Sequence, residues 1–133
     1  MKQKLLILSL AFFTLMSFTT VIHQDHVKVN TSNSTVKWKG SKVTSSHEGN
    51  IKLSSGKLIL EHGKLVGGEF EIDMTTIVNT DIEDEKSRLK LEGHLKSKDF
   101  FNVDEYKTAS LLITTIKLIE ESNYELQADL TIK

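Results

Sequence analysis

The stretch VGGEFEIDM, residues 66–74, decides the fold of this 133-residue chain. Apolar or small residues occupy every second position from Val66 to Met74, and the positions between them after Gly68 are all acidic. A period of two predicts a β-strand that buries one face and exposes the other. The adjacent Gly67 and Gly68 predict a bulge or a bend of the kind that curves a sheet.

The same alternation continues on both sides of this stretch. Two glycine-bearing segments, residues 54–56 and 61–64, have the composition of tight turns between neighbouring strands. Apolar residues recur at every second position at Val36 and Trp38, Ile51 and Leu53, Leu58 and Leu60, Ala109, Leu111 and Ile113, and Tyr124, Leu126, Ala128, Leu130 and Ile132. Each run predicts a half-buried antiparallel strand.

The period changes between Thr80 and Lys98, where the pattern predicts a helix. Thr80 and Glu83 have the spacing of a capping box. Acidic residues stand at the start of this segment and lysines at its end, which suits the helix dipole. Leu91 and Leu95 share one face of the predicted helix and would pack it on the sheet.

Six or seven strands with one inserted helix predict an all-β, mainly antiparallel protein whose meander curls into a barrel. A β-sandwich is the alternative architecture. The alternation runs on to residue 132, so the last strand is expected either to lie on an open edge or to be followed by strands beyond this sequence. Gly93, inside the helix, predicts a close approach to a strand.

The start of the chain has the pattern of a secretory signal peptide. Lys2 and Lys4 precede an apolar run over residues 5–18, and small or hydroxylated residues follow it. This run is too short to cross a hydrocarbon core of roughly 30 Å comfortably, which makes a membrane anchor the weaker alternative. We expect a signal peptide at residues 1–20, a single domain at residues 21–133, and a periplasmic or secreted protein.

Composition excludes several functional classes. Cysteine is absent, which removes disulfide bonds, thiolate metal ligands and cysteine nucleophiles. Setting aside Lys2 and Lys4 reduces the 17 basic residues to 15, against 18 acidic ones, and no basic stripe favours nucleic acid. The sequence also has no nucleophile elbow and no phosphate-binding loop. We therefore expect no nucleic-acid partner and no cofactor.

The five histidines are the remaining candidates for chemistry. Their spacings do not match a zinc-binding helix or strand, so no metal site is predicted. A cut after Thr20 would place His23 third in the mature chain, where it could bind copper(II) or nickel(II). An enzymatic alternative pairs His47 with His94 as acid and base. We expect instead that the protein is not an enzyme and that His94 forms a structural hydrogen bond to the backbone.

Four short motifs carry a resemblance to a known family. They are Ser34-x-Val36-x-Trp38-x-Gly40-x-Lys42, His47-x-Gly49, Gly67-Gly68-x-Phe70-x-Ile72-Asp73-Met74, and Gly93-His94-Leu95-x-Ser97-x-Asp99-Phe100-Phe101 with Tyr106 after it. From about Val29 to the last residue, the chain resembles the YceI-like family of lipocalin-like, polyisoprenoid-binding proteins. The resemblance implies an eight-stranded antiparallel barrel, usually exported to the periplasm, whose interior holds an isoprenoid or another extended amphiphile.

The chain departs from the family pattern at two places. Lys107 stands where a proline commonly follows the tyrosine, and the strands that typically come after the segment at residues 126–133 are absent from it. We therefore expect a lipocalin-like, up-and-down β-barrel with one inserted helix that is incomplete or open towards its C-terminus.

The resulting prediction is a binding protein that holds an isoprenoid or fatty amphiphile inside the barrel. Each buried CH₂ group contributes roughly 0.8 kcal/mol, so a few isoprene units would suffice for about micromolar affinity. The predicted ligand-binding residues are Trp38, Phe70, Ile72, Met74, Phe100, Phe101, Leu111, Ile113 and Leu126, and the predicted structural motif residues are His47, Gly49, His94 and Asp99. Phe100 and Phe101 are expected to plug an end of the barrel or to touch the tail of the ligand, and Asp99 to cap the turn that follows it.

Two alternatives to this function stay open. The same apolar residues could fill a dry core, because a filled barrel and a hollow one have the same alternation. The run at residues 124–132 could also form an open sheet edge, which would make the protein a structural or interaction module with a possible homodimer.

Overall fold

The computed structural model describes Val21 and residues 23–133, and in this part of the chain six strands and one α-helix form. The elements are β1 (Gln24–Lys28), a 3₁₀ turn (Thr31–Asn33), β2 (Val36–Lys42), β3 (Ser45–Glu61), β4 (Lys64–Asn79), α1 (Glu85–Lys96), β5 (Thr108–Glu120) and β6 (Asn123–Thr131). The predicted signal peptide lies outside the described residues. Of the residues described, none belongs to a helix with the length and apolar character of a membrane span.

All strand pairs are antiparallel, and the sheet order is β1-β3-β4-β5-β6. β2 and β1 share one edge of β3, where β2 pairs with residues 45–51 and β1 with residues 57–61. Over the described residues β6 pairs with β5 alone, so the sheet does not close. The prediction of an all-β, mainly antiparallel fold with one inserted helix and an open barrel is confirmed.

The predicted turn at residues 61–64 is confirmed, and it joins β3 to β4. His62 and Gly63 have positive φ angles of 49° and 76°, which is the conformation of the two central residues of a type I′ hairpin. The predicted bulge at Gly67 and Gly68 is also found. Gly67 pairs with Ile59 whereas Leu65 pairs with the next residue of β3, so a bulge lies beside the glycines as predicted.

The predicted turn at residues 54–56 was wrong, because β3 runs through it without a break. Ser55 pairs with Glu71 and Gly56 with Phe70, and a bulge between Leu53 and Ser55 bends the strand there. A Cβ atom at Gly56 would lie 2.8 Å from Cδ1 of Phe70. The glycine therefore makes room for an aromatic ring and does not form a turn.

The helix begins at Glu85 and not at Thr80, so the predicted capping box was wrong. Asp84 is the N-cap residue, and its carboxylate accepts a 2.8 Å hydrogen bond from the backbone N–H of Ser87. The backbone N–H of Thr80 instead donates to the carbonyl of Glu48 at 3.0 Å. This contact holds the end of β4 on β3, so the helix begins later in the sequence, at Glu85.

One side of α1 packs on the sheet, as predicted. Leu95 is buried, and Leu91 packs against the core. The prediction for Gly93 was wrong, since nothing lies within 4 Å of the position that its Cβ would take. The core forms where the helix and the loop after it cover the concave face of the sheet. Its buried members are Ile51, Ile72, Met74, Ile77, Leu95, Val103 and Ala109.

Candidate ligand-binding cavity

The concave face of the sheet carries a half-open apolar cavity of about 270 Å³. Its lining comes from β2, β3, β4, β5 and the end of the chain, together with one aromatic residue of the loop after α1. All the lining residues except Lys37 are apolar: Val36, Lys37, Trp38, Ile51, Ile72, Met74, Ile77, Phe101, Ala109, Leu111, Leu130 and Ile132.

Strand register assembles this lining. Residues that face each other across two antiparallel strands project on the same side of the sheet. Val36 of β2 is opposite Ile51 of β3, and Ile72 of β4 is opposite Ala109 of β5. Leu111 is in turn opposite Leu130. The inward positions of five strands therefore join into one apolar surface.

Trp38 forms one wall of the cavity and is held in place by the end of β4. Its indole Nε1 donates a 3.1 Å hydrogen bond to the carbonyl of Val78. Gly49 lies opposite Trp38 in the register, and a Cβ there would come within 2.7 Å of the ring atom Cζ2. The buried Gly49 therefore provides the space that the indole occupies.

The structure brings five of the nine predicted ligand-binding residues together around the cavity: Trp38, Ile72, Met74, Phe101 and Leu111. Phe70 pairs with Leu111 and packs beside Gly56, nearer the β3–β4 hairpin. Ile113 is buried near Gly68. These two residues therefore lie along the strands that line the cavity but outside its wall.

Phe100 and Leu126 are placed differently from the other predicted ligand-binding residues. The Phe100 side chain is 44% exposed and meets Phe101 edge-on, with 4.6 Å between the ring centroids. Leu126 is 43% exposed on β6, where it pairs with Ile116. Among the described residues the cavity is thus lined by one phenylalanine of the pair, while the other faces solvent.

Ile77 is a lining residue that the alternation could not reveal. Met74 and Ile77 are both buried although they are three residues apart, a spacing that a regular strand places on opposite faces. The side chain of Asp73 accepts a 3.0 Å hydrogen bond from the backbone N–H of Thr75, and the hydroxyl of Thr76 donates to the Asp73 carbonyl at 2.7 Å. These bonds bulge the strand and return Ile77 to the inner face.

A polar cluster joins β3, the end of β4 and α1. His47 Nδ1 lies 3.1 Å from Asp81 Oδ2, and the side-chain amide of Asn79 donates to the other oxygen of Asp81 and to the Glu48 carbonyl. The backbone N–H of the buried Asn79 donates to Glu92 of the helix at 2.8 Å. The cluster therefore fixes the segment that leads from β4 into α1.

The pKa of Asp81 lies below its ordinary value in this cluster. The main cause is the hydrogen bond from Asn79, and the contact with His47 lowers the pKa further. Both interactions favour the ionised carboxylate over the protonated acid. The arrangement suits a structural carboxylate better than a general acid, which needs a raised pKa.

The two histidines of the enzymatic alternative have different neighbours. His47 contacts Asp81, whereas the ring centroid of His94 lies 5.9 Å from that of Phe100. Among the hydrogen bonds of the described residues, none involves the His94 ring, so the predicted structural hydrogen bond of His94 is not found. Ser97 and not Asp99 supplies the turn after the helix, since its carbonyl accepts from the N–H groups of Phe100 and Asn102.

No group of three or more histidine and carboxylate side chains that could hold a metal ion occurs in the described part of the chain.

No match to a curated protein was found for this sequence. The YceI-like domain profile, by contrast, matches residues 27–133, which is most of the chain and includes every lining residue of the cavity. The protein therefore belongs to the YceI-like domain family.

Proposed function

We propose that the protein binds a polyisoprenoid or another long-chain amphiphile along the concave face of its sheet. The observation that carries this proposal is the cavity itself, whose lining is apolar at every position except Lys37. Membership of the YceI-like family supports a role in binding hydrophobic molecules. A lining of this kind suits a hydrocarbon chain, because each buried CH₂ group contributes roughly 0.8 kcal/mol.

The cavity accommodates a segment of the amphiphile and not the whole of a long chain. Ligand pockets usually measure roughly 300–1,000 Å³, and this cavity of about 270 Å³ lies just below that range. Beyond it, the same face of β5 and β6 continues with exposed apolar residues. These are Leu118, Tyr124 and Leu126, which are between 39% and 56% exposed. The remainder of a long chain would cover this row.

If the hydrocarbon chain of the ligand extends along this row, the affinity should increase with the length of the ligand. An isoprene unit contributes about 3 kcal/mol before ordering costs, at roughly 0.8 kcal/mol per CH₂ group. Farnesol, with three units, should therefore bind more weakly than a longer polyprenol. Titration of the single Trp38 measures this directly, because its indole forms part of the cavity wall.

The experiment that tests the proposal is native mass spectrometry of the protein purified from its own host. A bound amphiphile should appear as an added mass that solvent extraction removes, and the extracted protein should bind added farnesol. Extracted protein whose Trp38 fluorescence is unchanged by farnesol and by longer polyprenols would contradict the proposal.

We propose that this binding takes place outside the cytoplasm, in the periplasm or after secretion. The support is the basic, apolar and small-residue pattern of residues 1–20. Mass spectrometry of the protein from the cell envelope and medium should find an amino terminus at or next to Val21. An intact Met1 on protein that stays in the cytoplasm would contradict the export.

A second candidate function is pairing through the outer edge of β6, and one observation favours it. In the described part of the chain β6 pairs on one side only, and an unpaired strand edge is a template for another strand. We propose that a second copy adds to this edge to form a homodimer. Light scattering should then give twice the monomer mass, and a monomer at all concentrations would contradict the pairing.

A further inference from the structure

A row of basic residues follows the helix towards the aromatic pair at the cavity. Lys86, Lys90 and His94 are spaced four residues apart in α1, and residues at this spacing are neighbours on a helix surface. All three are exposed. The buried side of the helix carries Leu95, with Leu91 beside it, so the row lies away from the contact with the sheet. We call Lys86, Lys90, His94 and Phe100 the basic ridge.

The charges of this ridge are not compensated by ion pairs. The four salt bridges among the described residues involve His23, His47, Lys57 and Lys117, so Lys86 and Lys90 take part in none of them. Glu92 of the same helix points elsewhere and accepts the 2.8 Å hydrogen bond from the backbone of Asn79. Within the described part of the chain Lys86 and Lys90 are therefore unpaired cations, on a protein whose formal net charge is −1. Apart from Glu92, the acidic residues nearest to them in sequence, Glu83, Asp84 and Glu85, lie at the N-terminal end of the helix.

The ridge connects to the cavity through three aromatic rings. The His94 ring lies 5.9 Å from that of Phe100, and Phe100 lies 4.6 Å from Phe101. Phe101 lines the cavity, whereas 44% of Phe100 is exposed to solvent. An exposed aromatic side chain thus stands between the lysines and the site proposed to hold the amphiphile.

We propose that the basic ridge docks the protein on a membrane surface that contains anionic phospholipid. Charge complementarity is the main argument, because a lysine near an anionic bilayer strengthens binding by about fivefold. Phe100 suits the same surface, since an exposed apolar side chain beside lysines can insert among the lipid head groups. Docking of this kind would place Phe100, together with the adjacent Phe101 of the cavity wall, next to the bilayer. The inference adds the source of the amphiphile to the proposed function and depends on it only for that purpose.

Vesicle flotation tests the docking. The protein and its variants are purified from the same exporting host, so that all share one amino terminus, and are mixed with vesicles of phosphatidylcholine alone or with added phosphatidylglycerol. Anionic vesicles should bind the protein more tightly, and high salt should remove this difference because it screens exposed charges. Equal binding to both kinds of vesicle would overturn the proposal. A ridge that instead recognised an acidic protein would give this result.

Variants locate the docking on the ridge. Lys86→Ala with Lys90→Ala should weaken binding to anionic vesicles about 25-fold, which is fivefold for each lysine. Phe100→Ala should weaken it further without changing the salt dependence. Lys39→Ala with Lys42→Ala removes the same charge from exposed positions of β2 and should leave most of the binding in place. Equal losses in the two double variants would overturn the assignment to the ridge.

Measurements of vesicle binding and farnesol binding distinguish a failure of the docking from a failure of the proposed function. The Lys86→Ala, Lys90→Ala variant should bind farnesol as the wild type does, because neither lysine lines the cavity. Salt-sensitive vesicle binding without any farnesol binding would uphold the docking and contradict the proposed function. Farnesol binding with no preference for anionic vesicles would contradict the docking alone.

Discussion

Two glycines differ in the space that the structure leaves for a Cβ atom. Gly49 is buried beneath the Trp38 indole, whereas Gly93 faces open space on the helix. Both belong to the motifs that carry the family resemblance, and sequence alone cannot distinguish their surroundings. The reason is that the contact of Gly49 depends on a cross-strand register and not on its neighbours in the chain.

Gly49→Ala should destabilise the protein, because the new methyl group would lie 2.7 Å from Cζ2 of Trp38 and against the end of β4. Overpacking of this kind costs about 1–3 kcal/mol. Gly93→Ala is the matched control, and it should stabilise α1 by up to about 1 kcal/mol because alanine is the better helix former. Urea unfolding followed by Trp38 fluorescence measures both changes. Equal changes in the two variants would contradict the difference in environment.

Asp81 makes the stability depend on pH in the acid range. Its folded-state pKa is below the ordinary value of 3.8, so the folded state favours the ionised form and gains stability above that value. This gain should be lost as the pH falls through the lowered pKa. Asp81→Asn should unfold at a lower urea concentration than the wild type at neutral pH. This gap between the two urea midpoints should narrow below pH 3.8, the ordinary pKa of the carboxyl group. A gap that stays constant down to strongly acid pH would contradict the role of the carboxylate.

At the scale of elements, the sequence predicts types better than boundaries. Alternation reveals the strands, and the glycine of the 61–64 turn marks the hairpin because its positive φ is a local requirement. The wrong predictions within this set have the same cause, which is a contact with a residue that is distant in sequence. Gly56 resembles a turn residue but makes room for Phe70, and Thr80 resembles a helix cap but its N–H is taken by Glu48 of β3. Neither partner is near in sequence.

The true start of α1 can be tested by removing each candidate cap. Asp84→Ala should cost about 1 kcal/mol, because the Ser87 N–H loses the carboxylate that accepts its hydrogen bond. Glu83→Ala is the matched control from the rejected capping box and should leave the stability almost unchanged. Urea unfolding of both variants measures the difference. A larger loss of stability for Glu83→Ala than for Asp84→Ala would contradict this start and favour a helix that begins at Thr80.

At the scale of the whole molecule, an open sheet leaves its apolar face only partly covered. Period-two alternation predicts which residues share a face within a strand, and this placed Trp38, Ile72, Met74 and Leu111 in the cavity. It does not predict how far each strand extends along its neighbour, which decides that Leu130 joins the cavity while Leu126 lies beyond it. Ile77 stays hidden because the bulge after Asp73 breaks the period.

The comparison of Leu130 with Leu112 tests the central claim most directly. Both side chains are 53% exposed, but Leu130 lines the cavity while Leu112, next to Leu111 on β5, projects from the opposite face of the sheet. Titration of Trp38 fluorescence with a polyprenol measures the affinity of each variant. Leu130→Glu should weaken binding by about tenfold or more, equivalent to about 1.4 kcal/mol, and Leu112→Glu should bind as the wild type does. Equal affinities for the two variants would contradict binding on the concave face.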